Sequence, residues 1–286
     1  MTIMKRGYYI LFLLFFFINN IAFAYHKQPD NPIRIGVTPV FLNYQTSLLS
    51  EWQHYLELKL KRSVKFVRRT TYKEITDLIL QDKIDFAWIC GYPYLQFQDK
   101  MKLLAVPLYQ GRPLYQSYLI VHASDKTTTS IKQLQGKIFA YSDPDSNSGY
   151  LVPQYQIQLL GEDRSSYFRR SFFTWSHEKV VKAVAMEVAQ GGAVDGYIWD
   201  TLARINPEIT KNTRVAKKSQ SFGFPPFVAN SNTSTEDFGA LQNVLLSMSN
   251  DSQGLSLLER LNLDGFSIQE KDLFDGIGTM IQAIAE

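Results

Sequence analysis

Short apolar runs of β character alternate with amphipathic helical stretches along most of this chain. That alternation limits it to parallel or mixed sheets covered by helices on both faces. Residues 33–38 read as a strand stopped by Pro39, after which Leu48, Leu49, Trp52, Tyr55, Leu56 and Leu60 share one helical face. Residues 64–68 are again β-like, and Thr71-Tyr72-Lys73-Glu74 is a capping box opening a helix around Ile75, Leu78 and Ile79. Residues 85–90 have a buried-strand pattern, and further strands are predicted at 103–108, 116–122, 137–141, 168–174 and 193–198. Ser176 is placed to cap a helix whose apolar positions are Val180, Val181, Val184 and Val188. Gly223, Pro225 and Pro226 read as a linker into an edge strand ending at Asn230. The final helix carries Leu273, Phe274, Ile277, Ile281 and Ile284.

In open α/β sheets, ligands bind beyond the carboxyl ends of the strands. The loops following residues 33–38, 85–90, 137–141, 168–174 and 193–198 are therefore the informative ones. They carry Tyr44, Cys90 and Tyr94, a Ser146–Asn147–Ser148 turn, His177, and Tyr197 with Asp200. The most distinctive is Asp143-Pro-Asp-Ser-Asn-Ser-Gly-Tyr150-Leu-Val-Pro153. A strand running into such a turn and then a helix exposes several backbone N–H groups at a positive helix end, a setting suited to a small oxyanion. Ser146, Asn147 and Ser148 add side-chain donors, and Gly149 permits close approach to the backbone. The turn holds no lysine or arginine, so oriented hydrogen bonds rather than charge neutralisation would hold the ligand. The plainer alternative for this turn alone is a Ser/Asn helix cap.

Residues 1–24 have a short basic start (Lys5, Arg6), an apolar run from Tyr8 to Ile18, and Ala22-Phe23-Ala24. This is the pattern of a secretory signal cleaved after Ala24. Loss of Lys5 and Arg6 lowers the formal charge from +3 to +1, which argues against nucleic acid or acidic membrane surfaces as partners. Cys90 is the only cysteine, so the chain forms no internal disulfide and depends on its core for stability. The four histidines, His26, His54, His122 and His177, lack metal-ligand spacing, and no metal or cofactor is expected. There is no Gly-x-Ser-x-Gly elbow and no P-loop. A Cys90–His177 thiol hydrolase is conceivable on residue types alone, but no orienting motif accompanies the pair, and no catalytic residue is assigned.

Taken together, the segments from about residue 33 to 230 resemble the periplasmic phosphonate-binding protein family, the solute receptors of phosphonate, phosphite and phosphate ABC importers. The resemblance is carried by Asp143-Pro-x-Ser-x-Ser-Gly-Tyr-x-x-Pro153, Asp85-Phe-Ala-Trp, Tyr94, Leu134-x-Gly136-Lys137, Ser176-His177 and Val194-Asp195-Gly-Tyr197. It implies a type II periplasmic binding protein: two α/β lobes, residues 29–117 plus 224–286 and residues 118–223, with a ligand cleft between them. It also implies that Tyr44, Tyr94, Ser146, Asn147, Ser148, Gly149 and His177 contact the ligand, with Asp200 as the candidate for an ammonium group. Asn147 stands where family members usually have threonine. The implied ligand is a small oxyanion and the implied partner an ABC permease, for a periplasmic monomer. A sensor kinase's periplasmic domain is the alternative partner, and arsenite drawn to Cys90 the alternative ligand.

Overall fold

A computed structural model describes residues 31–38 and 46–285, so the expected signal and Tyr44 lie outside the described residues. The first part of the chain forms β1 (Ile33–Val37), α1 (Thr46–Leu60), β2 (Val64–Arg68), α2 (Tyr72–Leu80), β3 (Phe86–Trp88), α3 (Gly91–Gln96) and β4 (Met101–Leu108). The middle part forms β5 (Leu114–His122), β6 (Ile138–Tyr141), α4 (Val152–Leu159), β7 (Arg170–Phe173), α5 (His177–Ala185) and β8 (Gly191–Asp195). It ends with α6 (Gly196–Ile205), α7 (Pro207–Thr210) and β9 (Thr213–Gly223). The last part forms β10 (Phe227–Asn230), α8 (Thr235–Ser247), α9 (Ser252–Leu261), β11 (Gly265–Ser267) and α10 (Asp275–Ala285).

The strands divide between two mixed sheets, ordered β11-β4-β10-β3-β1-β2 and β7-β6-β8-β5-β9. In the first, β1 pairs in parallel with β2 and β3, and β10 runs antiparallel between β3 and β4. In the second, β6 is parallel to β7 and β8, and β5 runs antiparallel to β8 and β9. This is the α/β architecture that the sequence implied, but the boundary expected between residues 117 and 118 falls inside β5, which lies wholly in the second sheet. The chain changes sheets twice, at residues 109–113 and 224–226. The two crossings lie side by side, with Phe224 N–H donating to Pro113 C=O at 2.9 Å. Trp88 Nε1 donates to Pro225 C=O at 2.9 Å and anchors the second crossing to the first sheet.

Two local expectations need correction, and one strand was not anticipated. The strand expected at 193–198 stops at Asp195, because Asp195 Oδ1 accepts the Tyr197 N–H and caps α6 there. The segment ending at Asn230 is not an edge: β10 is fully buried and interior to its sheet. The second sheet instead ends in β9, an eleven-residue strand that the pattern did not signal. Its run Lys217-Lys218-Ser219-Gln220-Ser221 hides the alternation and suits an edge that must not pair further.

The main core runs from the first sheet into the second. Trp52 of α1 packs edge-on to Trp88 and Phe227, and the same core reaches Tyr118, Val180 and Tyr197. A smaller core on the second sheet stacks Phe139 on Phe168 at 4.3 Å. These cores fix the carboxyl ends of β1, β3 and β6, around which the polar groups gather.

Candidate functional site

Between β6 and α4 the chain makes a wide π-type turn over residues 147–151, with Leu151 N–H donating to Ser146 C=O at 3.0 Å. Such wide turns recur at functional sites. Ser146, Asn147, Ser148 and Gly149 are all buried. Their backbone donors are largely occupied, contrary to a turn of free amides. Gly149 N–H donates to Ser146 Oγ at 3.0 Å, and Asn147 N–H donates to Cys90 Sγ at 3.3 Å. Asn147 Nδ2 donates to Tyr115 Oη at 2.9 Å, and Ser117 Oγ donates to Ser148 C=O at 2.6 Å. A Cβ on Gly149 would overlap Ser142 Oγ and lie 3.1 Å from His177 Cε1. The space beside this glycine is thus filled by protein.

His177 opens α5 and is 2 % exposed. Its Nδ1 accepts the Asp195 N–H at 3.0 Å, which assigns the proton to Nε2, 3.1 Å from Tyr72 Oη. Burial pushes the imidazole down to about 3, so it is neutral at physiological pH. With Nε2–H donating to Tyr72 Oη, the phenol keeps its own proton to give elsewhere. Tyr72 N–H in turn donates to Asp143 Oδ2 at 3.1 Å. Burial raises the Asp143 carboxyl and carries that of Asp195 up to about 8.

Tyr72, Cys90 and Tyr94 come from elements packed on the first sheet; Asp143, Asn147 and His177 come from the second. The Tyr72–His177, Tyr72–Asp143 and Cys90–Asn147 bonds therefore join the two sheets at one point. None of the turn's hydrogen-bond partners among the described residues is a lysine or arginine. The buried polar atoms without a partner here include Ser142 Oγ, Asn147 Oδ1 and, on α3, Tyr94 Oη. The Tyr94 ring lies edge-on to Phe274 at 5.1 Å. Among the described residues no three His, Cys, Asp or Glu side chains gather as metal ligands.

The structure thus brings together Ser146, Asn147, Ser148, Gly149 and His177, with Tyr94 on a neighbouring helix. Asp200 is held elsewhere: its Oδ2 accepts the hydroxyls of Tyr109 at 2.7 Å and Tyr118 at 2.9 Å, and it lines a separate cavity with Arg204, Asn262 and Asp264. Cys90 and His177 do not form a hydrolytic pair. Burial pushes the thiol up to about 11, and His177 is committed to Tyr72 and Asp195. Sequence reasoning missed Tyr72, Tyr115 and Ser142. Tyr72 was within reach, since it follows the carboxyl end of β2 at the first position of a capped helix.

A sequence profile described as ABC transporter, phosphonate, periplasmic substrate-binding protein matches residues 35–274. A phosphonates-binding periplasmic protein of Escherichia coli is 25% identical over 248 residues, covering 83% of this chain and 72% of that protein. The phosphate-import protein PhnD of Mycolicibacterium smegmatis is 25% identical over 158 residues, 51% of this chain and 48% of its own length. Among solved structures, a binding-protein component of an ABC phosphonate transporter from Pseudomonas aeruginosa superposes with a TM-score of 0.80. It is 23% identical, over 87% of this chain and 85% of that one. PhnD1 of Prochlorococcus marinus in complex with methylphosphonate also gives 0.80, at 18% identity over 90% and 99% of the two chains.

Proposed function

We infer what this chain does from one premise: it belongs to the family of periplasmic substrate-binding proteins of phosphonate ABC transporters. Such proteins are receptors and leave their solute chemically unchanged, so the chain is not an enzyme. Our reading is that it captures a small tetrahedral oxyanion, a phosphonate, phosphite or phosphate, and presents it to an ABC permease. It would do so as a periplasmic monomer after loss of residues 1–24.

The observation that carries this reading is a buried, uncharged set of hydrogen-bonding groups where the two sheets meet. The Tyr72 proton, Ser142 Oγ and the Ser148 hydroxyl are neutral donors suited to oriented oxyanion binding. Tyr94 and Tyr44 complete the set by family resemblance, and Asp200 is left out because its carboxylate serves two tyrosines. The relatives agree in chemistry, since one binds phosphonates, one imports phosphate and one structural neighbour holds methylphosphonate. Arsenite is disfavoured because the Cys90 sulfur already accepts the Asn147 N–H and its thiol stays protonated.

A thermal-shift screen of the mature protein tests the reading. Phosphonates, phosphite or phosphate should raise the melting temperature with concentration, whereas amino acids and sugars should not. A shift with a sugar or an amino acid alone would overturn it.

A further inference from the structure

Asn147 has no exposed surface, and its amide is half satisfied. Nδ2 donates to Tyr115 Oη at 2.9 Å, while Oδ1 is buried without a hydrogen-bond partner. The Tyr115 oxygen also faces the Ser148 and Cys90 side chains, so its own proton has another acceptor and the oxygen is free to receive Nδ2–H. A buried amide oxygen left unpaired is costly, and native sites supply it with a donor. The hydroxyls nearby, Tyr72, Ser142 and Ser148, can each turn a proton toward an anionic oxygen. Asn147 Oδ1 can only accept.

We propose that Asn147 is a specificity-determining residue whose Oδ1 accepts a hydrogen bond from an acidic hydroxyl of the ligand, so that this receptor takes singly protonated tetrahedral oxyanions and rejects fully ionised ones. The proposal rests on the oxyanion reading above. A fully ionised oxyanion offers only lone pairs, and one of its oxygens would face the lone pairs of Oδ1. A singly protonated one supplies the missing donor and keeps two anionic oxygens for the hydroxyls.

The surrounding charges point the same way. Tyr72 of α2, Cys90 after β3, Tyr115 of β5, Asp143 after β6, His177 of α5 and Asp195 at the end of β8 face this turn, and none brings a positive charge. Asp145 faces Lys73 and Asp77, and Glu178 is paired with Lys182. A second negative charge on the ligand finds no counter-charge among these groups.

Calorimetry with methylphosphonate and dimethylphosphinate tests this directly. Dimethylphosphinate carries one negative charge and has a methyl group in place of the acidic hydroxyl. At about pH 6 the parent protein should bind methylphosphonate about tenfold more tightly than dimethylphosphinate. Methylphosphonate affinity should fall about tenfold per pH unit above its second ionisation, whereas dimethylphosphinate affinity should not. A titrating group of the protein, Asp195 included, would weaken both ligands alike. Asn147→Leu, or Asn147→Val if the first variant does not fold, should abolish the preference. Equal affinity for the two ligands, or methylphosphonate affinity that rises with pH, overturns the inference and leaves the oxyanion reading standing. Absence of binding by either ligand, and by phosphite and phosphate, overturns that reading and this inference with it.

Discussion

The hydroxyl of Tyr72 on α2 and Nε2 of His177 on α5 lie 3.1 Å apart where the two sheets meet. Because Asp195 N–H occupies Nδ1, the histidine donates through Nε2 and the tyrosine proton is left free. A neutral imidazole thereby orients a neutral phenol, which fits the proposed binding of an anion without a cation.

Removing the Tyr72 hydroxyl leaves His177 Nε2–H buried without its acceptor. Tyr72→Phe should lower stability by about 1–2 kcal/mol in a denaturant titration and weaken methylphosphonate binding about tenfold. A variant as stable and as tight-binding as the parent would show that the contact is incidental.

Two buried groups give opposing pH dependences. The unfolded chain protonates His177 near its ordinary value of 6.5, but the folded imidazole resists down to about 3. Its contribution is therefore present above the unfolded value and lost as pH falls toward about 3. Asp195, raised from 3.8 to about 8, acts in reverse: its contribution is present below 3.8 and lost as pH rises through about 8. From about pH 6.5 to 8 only the Asp195 slope remains, so the parent should lose stability as pH rises there. Asp195→Asn keeps a cap acceptor for α6 and should flatten that part of the profile. Urea midpoints that change in parallel for both proteins would contradict this.

The thiol of Cys90 is buried, protonated and hydrogen-bonded to the turn. A thiol reagent should leave the native protein unlabelled and label it on unfolding. Cys90→Ala, which strands the Asn147 N–H, should cost about 1–3 kcal/mol, and Cys90→Ser should recover part of it. Rapid labelling of the native state would place the thiol in contact with solvent.

Gly149 sits against Ser142 so closely that a methyl group there would lie 2.7 Å from Ser142 Cβ. Gly149→Ala should destabilise the turn, and adding Ser142→Gly should restore part of the lost stability. Strictly additive losses in this double-mutant cycle would refute steric coupling between the two positions.

Legibility in the sequence followed how local each signal is. The strand–helix alternation and the Ser-Asn-Ser-Gly turn depend on neighbours in sequence, and both stand in the structure. His177 was found because it follows the carboxyl end of a strand. The same rule reaches Tyr72 once β2 is counted among the strands whose ends face the site. Strand β9 escaped because edge strands carry polar residues, and β10 was taken for an edge although its Phe227-Val228-Ala229 run is apolar on both faces. Asp200 could not be placed from sequence, since its partners Tyr109 and Tyr118 are 91 and 82 residues away. The occupancy of the turn's amides was equally hidden, because Cys90 lies 57 residues from Asn147.

If neutral donors at the junction of the two sheets hold a small phosphorus oxyanion, titration calorimetry of the parent and Ser148→Ala with methylphosphonate reads their contribution. Saturable one-site binding to the parent and about a tenfold weaker affinity in the variant are expected, the loss of one hydrogen bond to a charged acceptor. Unchanged affinity in Ser148→Ala, or no binding of methylphosphonate, phosphite or phosphate to the parent, would contradict this.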